Sequence, residues 1–305
     1  MKFLIVVGGA TASGKTSLAI QLAQHFNTSI ISADSRQFFK EMTIGTAKPT
    51  AEELAEAPHY FINNLSIQTE YSVGKYEREA IEVLEKLFQE KDVVIMVGGS
   101  GLYIKAVCEG LDYFPAVPDY IRQDLITLFE NEGIEPLQKE LAAVDPTYFK
   151  TVDQQNPQRL IRALEIYRTT GQTFSSFRKA TKVERPFQSI KLALDWDREV
   201  LYNRINQRVD QMLDLGLEEE ARQFYSQKAL NSLQTVGYQE WFDCFDGKID
   251  QAEAIRLIKR NTRRYAKRQL TWLRREGDFH YVQPEKIEEV ISYLEVQLSN
   301  DKFML

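Results

Sequence analysis

An apolar run from Lys2 to Val7 leads directly into Gly9-Ala10-Thr11-Ala12-Ser13-Gly14-Lys15-Thr16, and a helical pattern follows from Lys15 to Phe26. The octapeptide satisfies G-x-x-x-x-G-K-[ST], and its flanks supply the strand and the helix that such a turn needs. Glycines let successive backbone amides curl around an anion, Lys15 adds a charge, and Thr16 can hold Mg²⁺ at a helix N-terminus. Four fixed positions of this kind arise by chance roughly once in a hundred such chains at average composition. A tight turn without a ligand is the poorer reading. A phosphate-bearing group is expected here, on a loop of the kind that binds ATP and other nucleotides.

Further along, Thr28 to Ser32 and Asp92 to Val97 are strand-length apolar runs, and Glu77 to Gln89 places Ala80, Ile81, Leu84, Leu87 and Phe88 at helical spacing. Strands apolar on both faces and separated by helices predict a parallel sheet covered on both sides. The expected class is α/β, with a parallel-sheet core of the P-loop NTPase kind. Beyond Pro115 and Pro118 the segments turn mostly helical until about Ser189. Asn156-Pro157 offers an N-cap and a first-turn proline, and Gly171 offers a stop. Ile190 to Leu194 then reads as a strand returning to the sheet. Helices are expected over Asp197–Leu215, Leu217–Gln227 and Asp250–Arg275. The predicted organisation is a core of residues 1–115 and 190–305, interrupted by a helical insertion over 116–189.

Hydrophobic residues make up 43% of the 305 and charged residues 27%, which excludes a disordered chain, a collagen-like fibre and a disulfide-stapled miniprotein. The cysteines are two, Cys108 and Cys244, and they point to a reducing, cytoplasmic setting. Phe3–Val7 and Val93–Val97 are far too short to span a bilayer, and the first of them is too short for the centre of a signal peptide. No membrane partner is expected. Net charge is −6, yet Arg256 to Arg275 holds nine Lys or Arg and no acid, leaving 29 basic against 44 acidic residues elsewhere. A cationic block in an acidic protein is a localised electrostatic feature.

NTPases with this loop usually carry an Asp at the end of a neighbouring strand to support Mg²⁺. The run Val93–Val97 instead ends in Gly98-Gly99-Ser100-Gly101. Thr28–Ser32 ends in Ala33-Asp34-Ser35, and an acid at the carboxyl end of a parallel strand lies in the ligand crevice. Asp34 is therefore a candidate for chemistry, with a capping or turn role as the alternative.

Seven motifs occur in order: Gly9 to Thr16, Asp34-Ser35-Arg36-Gln37, Ile44 to Pro49, Gly98 to Tyr103, Asn156 to Glu165, Val236-Gly237-Tyr238, and Lys267 to Arg274. Together they resemble the bacterial tRNA dimethylallyltransferases, also called tRNA isopentenyltransferases, nearly end to end. The resemblance implies a P-loop core related to nucleotide kinases, acting as a monomer. The implied reaction moves a dimethylallyl group from dimethylallyl diphosphate to the exocyclic N6 amine of the adenosine just 3′ of the anticodon. The tRNAs concerned read codons beginning with U. On this reading the loop holds a diphosphate leaving group, which accounts for the acid missing after Val97. Ala10, Phe39 and Ser100 stand where the family usually has Pro, Tyr and Thr. The zinc finger of eukaryotic relatives is absent, since two Cys with His25, His59 and His280 cannot form it.

The resemblance also implies roles. Asp34 accepts the amine proton. Gly9 to Thr16, with Mg²⁺ at Thr16 and conceivably also at Asp34, stabilise the departing diphosphate. Arg204 and Arg208, one helical turn apart, line the same site, with a solvated helix face as the alternative from spacing alone. Asp34, Ser35, Arg36, Gln37 and Ser100 surround an adenosine flipped from the anticodon stem-loop. Arg122 aligns with a tRNA-contacting position. Gln158, Arg159, Leu160, Ile161 and Arg162 on the insertion, and Gly237 with Tyr238, fall in the family's tRNA-binding motifs. Arg256, Arg260, Arg263, Arg264 and Lys267 follow helical spacing as a stripe for the tRNA backbone, continued by Arg268, Gln269, Thr271, Trp272 and Arg274. A small-molecule or nucleotide kinase is the rival enzyme, and it lacks its expected acid. An RNA-binding GTPase-like switch lacks an N-K-x-D element.

Overall fold

A computed structural model describes residues 1–179 and 182–300. The strands are β1 (Phe3–Gly8), β2 (Ile30–Ser32), β3 (His59–Tyr60), β4 (Val93–Gly98), β5 (Gln188–Leu194) and β6 (His280–Val282). All pair in parallel, in the order β3-β2-β4-β1-β5-β6. The α/β class and the P-loop type of sheet are those expected from the sequence. β1 is central, and its register with β4 runs from Phe3 opposite Val93 to Gly8 opposite Gly98. Both glycine-rich turns therefore leave the sheet side by side at its carboxyl end. Ser32 of β2 lies opposite Val97 of β4, which brings Asp34 to the same edge.

Successive side chains of a strand point to opposite faces, so each buried strand feeds two cores. Leu4, Val6, Ile31, Val94 and Met96 pack with Tyr76, Ala80, Leu84 and Phe88 of the helix Val73–Glu90 and with Ile104 and Val107 of the helix Gly101–Glu109. Ile5, Val7, Ile30, Ile95 and Val97 pack on the other face with Leu18, Ile20 and Leu22 of the helix Lys15–His25 and with Val290 and Leu294 of the helix Ile287–Asn300.

Caps set the helix boundaries. Ser72, Asp197 and Asp250 each accept from a first-turn amide, at Lys75, at Glu199 and Val200, and at Glu253. The helices Arg198–Asp214 and Gln251–Glu276 follow, close to their expected limits. The helix from Leu217 ends at Phe224 and tightens into a 3₁₀ turn over Tyr225–Gln227. β3 and β6 are additions to the expected strands. Each is two or three residues long and half-exposed, so neither leaves an apolar run to read.

The chain divides into two compact units, Met1–Glu109 with Glu184–Leu305, and Gly110–Val183. Both breaks fall a few residues before those read from the sequence, because Arg185 pairs with Glu77 and Phe187 packs on Phe88 ahead of β5. In the smaller unit the helices Asp119–Glu132, Glu135–Val144 and Pro157–Thr170 enclose Leu125, Leu137, Leu141, Leu160 and Leu164. Asn156 caps the third of these and Gly171, in the left-handed conformation, ends it. Among the described residues no helix is long and apolar enough to cross a membrane.

A Cβ on Gly98 would overlap the backbone carbonyl of Ala33. Gly98→Ala is accordingly expected to lower the unfolding free energy by about 1–3 kcal/mol, the usual cost of overpacking. Urea titration followed by circular dichroism measures this, and an unchanged midpoint would mean that β2 and β4 part freely there.

Candidate active site

Aiming amides at an anion requires an uncapped helix start and a loop turned through unusual backbone angles. Gly14 at the N-cap of Lys15–His25 has φ 87 and no side-chain cap, which leaves the first-turn amides free. Ala12, at φ 62, is also left-handed, a conformation that a residue with a Cβ adopts only when held. The hold comes from outside. Trp196 Nε1 donates to the Ser13 carbonyl at 2.8 Å, and Arg204 Nε donates to the Ala12 carbonyl at 2.9 Å while its guanidinium lies 4.5 Å over the Trp196 ring. Gln269 is buried between the two glycine turns, accepting from the Thr11 amide at 2.9 Å and donating to the Gly99 carbonyl at 3.0 Å. The Ser13 hydroxyl is buried without a hydrogen-bond partner among the described residues.

Asp34 makes the turn that was its alternative reading, and it also lines a cavity. Its Oδ1 accepts from the Arg36 amide at 2.9 Å and the Gln37 amide at 3.4 Å, forming a turn. Its Oδ2 takes no hydrogen bond among the described residues, and Asp34 lines a cavity of about 340 Å³ together with Lys15, Gln37, Arg208, Tyr265 and Arg268. Ser100 accepts from the Ser35 amide at 3.1 Å. Tyr265 hydrogen-bonds to Ser100, and burial, with Asp34 nearby, pushes its phenol up to about 12. Tyr265 was legible only as an interruption of the basic stripe; nothing in its spacing marks it as a wall of the site.

A second cavity, of about 690 Å³, runs along Ala12 to Ser17 and shares Lys15, Gln37, Ala47, Arg208 and Met212 with the first. Lys15 and Arg208 thus stand where the two spaces meet. Burial, reinforced by the nearby Arg208 and opposed by Asp34, holds the Lys15 ammonium down to about 8. Burial also lowers Arg208, which donates to the Ala47 carbonyl at 3.2 Å. Arg208 makes no salt bridge among the described residues and lines both cavities, whereas Arg204 is engaged with the loop itself. Thr16 and Asp34 offer a hydroxyl and a carboxylate oxygen without partners among the described residues, and no cluster of three or more His, Cys, Asp or Glu occurs there. Two hard oxygens fit Mg²⁺, which keeps several waters and completes its shell from phosphate.

The residues expected to meet tRNA differ in exposure and partners, and Arg36, Gly237 and Gln269 line the same cavity as Asp34. Tyr238 and Gly237 are buried, with the Tyr238 hydroxyl donating to Glu220 and the Gly237 amide to Glu240. Leu160 and Ile161 belong to the core of the smaller unit. Gln269 ties the two turns together, Trp272 packs edge-on against Phe279, and Thr271 donates to the Lys267 carbonyl. Arg36 donates to the carbonyls of Asn231 and Gln234. On the basic stripe, Arg256 is paired with Glu253 and Arg263 donates to Asn206, while Arg264, Lys267, Arg268 and Arg274 are exposed. In the smaller unit, Gln158 and Arg159 are exposed, and the buried Glu165 holds Arg122 at 2.8 Å and Arg162 at 2.5 Å.

Comparison with known proteins agrees with this geometry. A family model described as IPP transferase matches residues 37–276, starting just after Asp34. The tRNA dimethylallyltransferase of Christiangramia forsetii is 54% identical over 97% of this chain and 99% of its own length, and that of Cytophaga hutchinsonii is 48% identical over 97% and 98%. Among solved structures, the tRNA isopentenylpyrophosphate transferase of Bacillus halodurans superposes with a TM-score of 0.75 at 33% identity, covering all of this chain and 99% of its own. A eukaryotic dimethylallyltransferase acting on tRNA gives a TM-score of 0.79 at 27% identity, covering all of this chain and 80% of its own. The chain belongs to the IPP transferase family. Its relatives are transferases that modify tRNA.

An anion bound beside Lys15 favours its charged form, so binding above pH 8 takes up a proton that the free side chain has lost. Below pH 7 Lys15 is already charged and adds nothing to the pH dependence. Calorimetry of inorganic diphosphate in buffers of differing ionisation heat should show proton uptake growing between pH 7 and 9. Lys15→Arg, charged throughout, should lack that increment. Equal uptake by both proteins would take Lys15 out of the anion site.

Proposed function

We propose that this chain transfers a dimethylallyl group from dimethylallyl diphosphate to N6 of the adenosine 3′-adjacent to the anticodon, in tRNAs reading codons that begin with U. The observation that carries the reading is Asp34. One oxygen is fixed by its own turn, and the other faces a cavity that also contains Lys15 and Arg208. The diphosphate occupies the cavity along Ala12 to Ser17, and the adenosine enters the one lined by Asp34 and Tyr265. The apolar groups Ile205, Val209, Met212 and Ile258 between them suit a five-carbon allyl chain.

As the amine nitrogen bonds to the allylic carbon, the carbon–oxygen bond breaks and diphosphate leaves with the electron pair. The amine proton passes to Asp34 Oδ2. Lys15, Arg208 and the free amides after Gly14 meet the charge that grows on the leaving oxygen. Mg²⁺, held by the Thr16 hydroxyl, would add a further positive charge there. Ser35, Gln37 and Ser100 read the base and its neighbours. Arg264, Lys267, Arg268 and Arg274 take tRNA phosphates, and Arg122, Gln158, Arg159 and Arg162 take others. On this reading the protein is a cytoplasmic monomer, as the family resemblance implies. A kinase would need an acid at the end of β4, where Gly98-Gly99-Ser100 stands.

The direct test incubates the protein with dimethylallyl diphosphate, Mg²⁺ and unmodified tRNA, then weighs the nucleosides by mass spectrometry. Asp34→Asn should lower single-turnover rates by roughly two to four orders of magnitude with tRNA affinity retained. An unchanged rate would remove Asp34 from proton transfer. For the tRNA face, Arg264→Gln with Lys267→Gln should flatten the dependence of log affinity on log salt by about one to two units. A drop in thermal stability with the slope intact would return those residues to a folding role.

A further inference from the structure

Glu220 lines neither of the two cavities, yet it is a buried carboxylate, 8% exposed, that receives four hydrogen bonds. Three come from consecutive amides: Thr43 at 3.0 Å and Ile44 at 2.8 Å onto Oε2, and Gly45 at 2.9 Å onto Oε1. The fourth comes from the Tyr238 hydroxyl, 2.6 Å from Oε1. A buried charge persists only when its hydrogen-bonding capacity is filled, and here backbone amides fill it. Tyr238 also touches the loop directly. A Cβ on Gly45 would fall within the Tyr238 ring, so ring and backbone are in direct contact.

Two residues on, Ala47 has φ 45, a left-handed angle that a residue with a Cβ holds only under external restraint. That angle turns the Ala47 carbonyl toward the cavities, where it accepts from Arg208 Nη2 at 3.2 Å and Gln37 Nε2 at 3.2 Å. Gln37 also donates to the Thr46 carbonyl at 3.3 Å. One carbonyl therefore orients both the guanidinium facing the anion and the amide facing the base.

We propose that Glu220 is a positioning residue for the transfer: it fixes the Thr43–Ala47 loop from behind and, through the Ala47 carbonyl, sets the direction of Arg208 and Gln37. Tyr238, fully buried and held between Glu220 and Gly45, completes this support. The inference rests on Arg208 being a diphosphate ligand, as read above.

A double-mutant cycle tests it, with inorganic diphosphate as competitive inhibitor. Glu220→Gln puts an amide donor against the loop's own donors and should weaken inhibition roughly tenfold, raising KM for dimethylallyl diphosphate alike. Added to Arg208→Ala it should change inhibition by less than about twofold, because its route to the anion is gone. Tyr238→Phe removes one of the four hydrogen bonds, keeps the ring against Gly45, and should shift inhibition in the same direction by about two- to threefold. A full additional loss in the Arg208→Ala background would overturn the proposal. So would lower melting temperatures with inhibition unchanged in both Glu220→Gln and Tyr238→Phe. If Arg208→Ala by itself leaves inhibition unaltered, the assignment of Arg208 to the diphosphate fails instead.

Discussion

A peptide unit carries its N–H and its C=O in opposite directions, so a loop can offer amides to an anion only if its carbonyls are held away from it. Most of the arrangement around Gly9–Thr16 follows from that constraint. The carbonyls of Ala12 and Ser13 are taken by Arg204 and Trp196, both beyond β5, and the Thr11 amide by Gln269 on the last long helix. Three distant parts of the chain thus converge on a few peptide units. This is also why Arg204 and Arg208 are not equivalent although they are neighbours on one helix face. The first builds the receptor and the second faces its contents.

Charge is distributed by the same logic. Burial, with Arg208 close by, depresses the Lys15 ammonium, and Asp34 only partly offsets the two. Without a ligand the site carries uncompensated positive charge in a half-buried space, which an arriving diphosphate relieves. Elsewhere Glu165 and Glu220 use buried carboxylates differently. Glu165 holds two guanidinium groups in the smaller unit, whereas Glu220 holds backbone. Neither role announces itself by spacing.

The parts of this protein that were legible in the sequence are those where local pattern and tertiary role coincide. β1, β4 and the loop between β1 and its helix read directly, because each buried strand is apolar throughout and the loop's residue types are dictated by the anion. Asp34 read from its place after a buried strand. β3 and β6 did not, since their pairing is satisfied by backbone hydrogen bonds to a neighbour and needs no apolar side chains. Tyr238, Gln269 and Trp272, which the motifs offer for tRNA, are buried or packed, and Gln269 also lines the cavity beside Asp34. A motif fixes which residues recur together, and only packing shows whether they face outward. Tyr265 and Glu220 went unread for the opposite reason: their significance lies in partners far away in sequence.

The helix Gln251–Glu276 deserves a last consideration. It is 26 residues long and extends about 39 Å at 1.5 Å per residue. Along it, Ile258 packs with Val209, Leu217 and Trp241, Arg264 and Lys267 face solvent, Tyr265 walls the base cavity, Gln269 fastens the phosphate loop, and Leu273 packs against the sheet. Each task depends on angular phase, and one residue advances the phase by about 100°. Losing or gaining a single residue near Asn261 would turn every later side chain away from its duty at once. Loops in this chain can drift in length over evolutionary time, but this rod can change only by substitution.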